Sequence, residues 1–155
     1  MRLRAKVQAA VEESMQGNFE GLKNLVRQEP RAIRYLLGMT YHSDDERRRT
    51  AAKGIAIASR HHPKLVNAVV RRLIWAMNDE SGTNALTAPD VLLEIARVRP
   101  DILLPAVPDM TRLASDEGLR EGLAKALRMI SEACPGQVGS SLSASLNKRL
   151  RGRQR

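Results

Sequence analysis

One cysteine, Cys134, stands in 155 residues, so no disulfide can cross-link the chain. That usage suits a reducing compartment, and the cytoplasm is the expected location. Aromatics are nearly as scarce, with Phe19, Tyr35, Tyr41 and Trp75 making up the full set. β-Sandwiches draw on aromatic and β-branched residues; a chain rich in Ala and Leu suits close helix packing instead. No apolar run approaches the roughly 18 residues that a membrane-spanning helix needs. The opening MRLRAKVQAAVEES is basic, yet it carries Glu12 and Glu13 and no apolar stretch, so it does not read as a secretory leader.

Catalytic signatures are missing too. There is no Gly-rich phosphate loop, no nucleophile elbow and no paired-carboxylate context. The three histidines are His42, His61 and His62, and nineteen residues separate the first from the second, which is not zinc spacing. His61 and His62 read as favourable charge at a helix C-terminus. Cys134 reads as a small buried residue, because no basic cluster surrounds it to make a thiolate. No catalytic residue, metal or cofactor is therefore expected, and the chain reads as a non-enzyme.

Net charge is +9, unevenly spread. Residues 1–34 carry +3, residues 35–78 carry +5, residues 79–135 carry −4 and residues 136–155 carry +5. A track for nucleic acid would more naturally be basic throughout.

What the chain does have is repetition. Pro30, Pro63, Pro100 and Pro135 fall at intervals of 33, 37 and 35 residues, the period of stacked helical hairpins. Measured back from each closing proline, Ile55, Leu92 and Leu127 stand eight residues upstream. Ala51, Ala88 and Leu123 stand twelve upstream, and Ala58, Ile95 and Ile130 five upstream. Spacings of three and four place one apolar stripe on each helix. Nineteen residues upstream stand Asp44, Ser81 and Asp116, all good N-cap types. Each proline suits a first helical turn, where no N–H partner is needed.

Asp44, Arg48, Ala51, Ala52 and Ile55, and again Asp116, Arg120, Ala124, Lys125 and Leu127, follow one pattern: a loop Asp, an Arg, small residues, an aliphatic. In this the chain resembles the HEAT-like repeat family, the armadillo-type α-solenoids also seen in phycobilin lyases. The middle copy departs, with Ser81, Ala85 and Pro89 in place of Asp, Arg and a small residue. The resemblance covers roughly residues 30 to 150. It implies an all-α, right-handed α-solenoid of about four hairpins with a C-terminal capping helix, and a role in scaffolding. The expected layout is one domain over 1–150: an atypical capping hairpin at 1–29, repeats at 30–62, 63–99 and 100–134, and a cap helix at 135–150. A basic tail, 151–155, follows.

Within this layout Leu3, Val7, Ala10, Val11 and Met15 predict a first helix over 2–16, ended by Gly17-Asn18. Its basic Arg2, Arg4 and Lys6 offer a membrane-surface reading, which Glu12 and Glu13 oppose. Gly54 predicts close approach of a paired helix. Ile102 to Leu113 predicts one helix that Pro108 should bend or start late.

The leading functional expectation is a non-catalytic scaffold or adaptor for an unidentified protein. Its candidate surface joins Arg47, Arg48, Arg49 and Lys53 to the loop edge of Trp75, Asp79, Glu80 and Asn84. The arginine triplet reads as a solvated face paired to Asp44, Asp45 and Glu46, or alternatively as an anion contact. Trp75 falls off its helix's apolar stripe; packing against a neighbouring hairpin is expected, with an exposed anchor as the alternative. Asp90 and Glu94 are expected on an exposed face, where they interrupt a basic stripe. The second reading is a nucleic-acid module using basic helices and Lys148, Arg149, Arg151, Arg153 and Arg155. A remote third, by analogy with HEAT-like proteins that process DNA bases, rests on Trp75, Asp79 and Arg72.

Overall fold

The computed structural model describes residues 1–79 and 83–139, with Thr83 and Asn84 as backbone only. Glu80, Ser81, the Asn84 side chain, the expected cap-helix residues Leu142, Leu146 and Leu150, and the basic tail from Lys148 onward lie outside the described residues.

Every regular element among the described residues is helical. Helix α1 (Leu3–Met15) ends as its sequence dictates: Gly17 takes φ +102°, a conformation open to glycine, and the Asn18 N–H returns to the Glu13 carbonyl. Helices α2 (Glu20–Gln28) and α3 (Ala32–Met39) follow, then α4 (Asp45–Ala58). Asp44 caps α4 by accepting the Arg47 N–H at 3.3 Å. Helix α5 (Pro63–Asn78) opens on its proline.

The middle copy starts late. A 3₁₀ turn over Thr83–Thr87 precedes α6 (Ala88–Val98), whose N-cap Thr87 makes no side-chain capping bond. The single helix expected from Ile102 to Leu113 is split into a 3₁₀ segment, Pro100–Ala106, and α7 (Val107–Leu113). Pro105 and Pro108 have no N–H to give to Asp101 and Leu104, so an α-helix cannot form until Pro108 falls in a first turn. Helix α8 (Glu117–Ala133) is capped by Asp116, which accepts the Gly118 N–H at 2.9 Å.

Helix α6 lies between α4 and α8, and these are the most extensive helix contacts in the molecule. Behind that row α3 backs α4, α7 backs α8, and α5 meets the Pro100–Ala106 segment; α1 and α2 pack on each other and on α4. The aligned stripe positions form the row's interior. Ala51, Ile55, Ala58, Ala88, Leu92, Ile95, Leu123 and Ile130 are all buried, and Leu127 is half-buried against the same core. Each buried Leu or Ile side chain stabilises the fold by about 1.5–3 kcal/mol.

Two glycines mark where elements approach closely. A Cβ on Gly54 would stand 3.0 Å from Leu36 Cδ1 and 3.2 Å from Leu22 Cδ2, so α2 and α3 both press on α4 there. A Cβ on Gly122 would stand 2.5 Å from the Pro89 Cβ, which brings the α8 backbone against a rigid ring on α6.

Side chains repeat the period as well. His62, just before Pro63, donates its ring Nε2 to the Val26 carbonyl at 2.9 Å. Arg99, just before Pro100, reaches the Ser59 carbonyl at 3.4 Å while holding Asp101 through two bonds of 3.0 and 2.9 Å. In each case the pre-proline side chain ties down a carbonyl about one unit upstream. His62 thus ties the start of α5 to α2. Cys134, before Pro135, caps α8 and is half-buried, not enclosed.

Candidate functional site

The four basic residues of α4 do not form one surface. Arg47 reaches back to α1, with its Nη2 3.4 Å from Glu12, and its Nε is enclosed with no hydrogen-bond partner. Arg48 turns onto the loop before its own helix, donating to the His42 and Ser43 carbonyls and pairing with Asp45. Arg120 on α8 does the same from the matching position, donating to the Ala114 and Ser115 carbonyls at 3.1 and 3.0 Å. These two arginines are loop clamps. Of the expected pairings with Asp44, Asp45 and Glu46, the structure makes Arg48 to Asp45; Arg47 takes Glu12 instead. Arg49 lines a cleft of about 210 Å³ between α4 and α6, with Asp45, Arg48, Thr87 and Asp90. The Lys53 ammonium lies 5.9 Å from the Phe19 ring centroid, a cation–π contact.

The acidic interruption on α6 is less exposed than expected. Asp90 faces solvent at the α4 cleft, but the Glu94 side chain is only 15% accessible. Burial pushes its carboxyl above the ordinary 4.5, against the pull of Arg97 (3.6 Å away) and Lys53. Asp90 shares its cleft with Arg49, and Glu94 lies within reach of the Lys53 charge, so acidic side chains interrupt the basic ones between α4 and α8.

Trp75 does not pack into the core. It is 69% exposed. The buried residues of α5 are Val66, Val69, Val70, Leu73 and Met77, and at about 100° per residue Trp75 falls roughly opposite them. Lys64, Ala68, Arg71, Arg72 and Asn78 are exposed on the same side. Helix α5 contains no acidic residue, and Lys64, Arg71 and Arg72 make no ion pair among the described residues. Asp79 caps the helix end. Lys64, Arg71 and Arg72 were legible: they stand eleven, four and three residues before Trp75, all helical neighbours of its face. The trio of Trp75, Asp79 and Arg72 is exposed on this single helix rather than sunk in a cleft.

Among the described residues no group of three or more His, Cys, Asp or Glu is placed to hold a metal ion, and no helix is long and apolar enough to cross a membrane. The chain matches no protein-family model, no curated protein and no solved structure with which it was compared. The chemistry of its own surface is what speaks for function.

Proposed function

We propose that the protein is a cytoplasmic, non-catalytic scaffold, a right-handed HEAT-like α-solenoid with a C-terminal cap helix, that binds an acidic protein segment on the outer face of α5. The observation that carries this reading is Trp75: a large indole left in water, roughly opposite the core stripe, beside Lys64, Arg71 and Arg72, which make no ion pair among the described residues. Exposed tryptophan beside arginine is the chemistry of interface anchors, because the ring gains most from losing water and the guanidinium pairs with carboxylates. The absence of any acid on α5 selects an acidic partner. The alignment of buried stripes and the recurring pre-proline ties support the repeat architecture.

The same face supports a second reading. Basic side chains around an aromatic ring also bind single-stranded nucleic acid by stacking and phosphate pairing. Trp75 is the only tryptophan, so its fluorescence separates the two. Titration with an acidic peptide such as poly-glutamate should shift the emission to the blue, and Arg71→Glu with Arg72→Glu should abolish the shift. A shift with oligonucleotide RNA but none with the acidic peptide replaces the first reading by the second; no shift with either removes α5 from consideration.

A further inference from the structure

A second basic cleft, of about 490 Å³, opens between α1, α3 and the loop entering α4. It is lined by Arg4, Arg34 and Arg47, by His42, and by Tyr35 and Tyr41, with Gln8, Gly38 and Met39 completing the wall. Three guanidiniums face one space that no carboxylate lines. Glu12 holds Arg47 by a single 3.4 Å contact and is itself 62% exposed. Arg4 and Arg34 make no ion pair among the described residues. Arg47 is under-satisfied, because its Nε is shut away from water without a partner. Such a concentration of positive charge costs folding energy through self-repulsion and is neutralised by an anion.

The loop is built to keep the cleft's shape. His42 Nδ1 accepts the Asp44 N–H at 3.0 Å, which leaves the proton of a neutral ring on Nε2 as a donor. Arg48 clamps the carbonyls of His42 and Ser43 from the other side. Tyr35 and Tyr41 add two ring faces and two hydroxyls; Tyr41 is 44% exposed and so free to cover a flat group.

We infer that this cleft binds a small phosphate ester of nucleotide size, its phosphates held by Arg4, Arg34 and Arg47 and its ring held against the tyrosines. Guanidinium forks match phosphate oxygens in pairs, and the volume falls in the range of ligand pockets. The site is separate from the α5 face, so either can fail without the other.

Calorimetric titration of the full chain with ADP and, separately, with inorganic pyrophosphate tests this. Both should bind at low salt. Arg34→Ala, an exposed residue with no side-chain partner among the described residues, should weaken both by about tenfold, the worth of one charge-assisted pair. Tyr41→Ala should weaken ADP and leave pyrophosphate unchanged. Arg128→Ala, an exposed residue on α8, should change neither, and circular dichroism should be native in all variants. No heat with either ligand, or equal affinity in Arg34→Ala, overturns the inference. So does an RNA oligonucleotide that binds more tightly than ADP with the same Arg34 dependence, since the cleft would then serve a polymer.

Discussion

Single residues in this molecule are constrained by what their neighbours on the next copy allow. Gly122 shows it most sharply. An added methyl would meet a proline ring, which cannot swing aside as a leucine can, so α8 must move off α6. Gly122→Ala should cost about 1–3 kcal/mol in urea denaturation. Gly38 on α3 has nothing within 4 Å of an added Cβ, and Gly38→Ala should be neutral or stabilising by about 0.5–1 kcal/mol. Glu94 gives a pH test. Burial holds its carboxyl above 4.5, so folding favours the protonated form. That contribution is full below about pH 4.5 and is lost as pH rises through the raised native value. Glu94→Gln should melt at or above the parent's temperature at pH 7, and the gap should close on acidification. A clearly lower melting temperature at pH 7 would show that Arg97 and Lys53 outweigh the burial.

Among helices, the patterns that depend on local spacing were legible, and those that depend on which neighbour arrives were not. The stripe at twelve, eight and five residues before each proline follows from helical geometry alone, and eight of its nine members are buried. Asp44 and Asp116 cap where their residue type says they should. Spacing takes Trp75 off the apolar stripe, but whether a neighbouring element covers it depends on packing, and in the structure it stands 69% exposed. The fates of Arg47, Arg48 and Arg49 could not be read from an RRR run, because Glu12, the His42–Ser43 carbonyls and Asp90 become neighbours only after folding. Arg4 and Arg34 were hidden for the same reason, with thirty residues between them. The matching clamps on α4 and α8 carry a paired prediction. Arg48→Ala and Arg120→Ala should each lose about 1 kcal/mol by thermal denaturation, and Arg49→Ala, which carries no such bonds, should lose less.

At the scale of the whole molecule, contacts join elements within about one unit of each other, as α4 to α6 and α6 to α8. Among the described residues no extensive contact joins α1 or α2 to α6, α7 or α8. Gly122→Ala on α8 and His62→Ala, which removes the tie to Val26, should therefore destabilise additively to within about 0.5 kcal/mol, since they share no partner. A large coupling between them in the double variant would mean the row behaves as a single rigid block.

The pre-proline ties carry one more consequence. His62 and Arg99 do not seek a unique mate; each takes the carbonyl four residues before the previous proline of the series, Val26 before Pro30 and Ser59 before Pro63. On the proposed repeat architecture, growth by tandem duplication is thereby made simple. A gene with residues 63–99 written twice would present each newcomer with a ready acceptor, and its product should stay folded while gaining a second Trp75 and a second basic face.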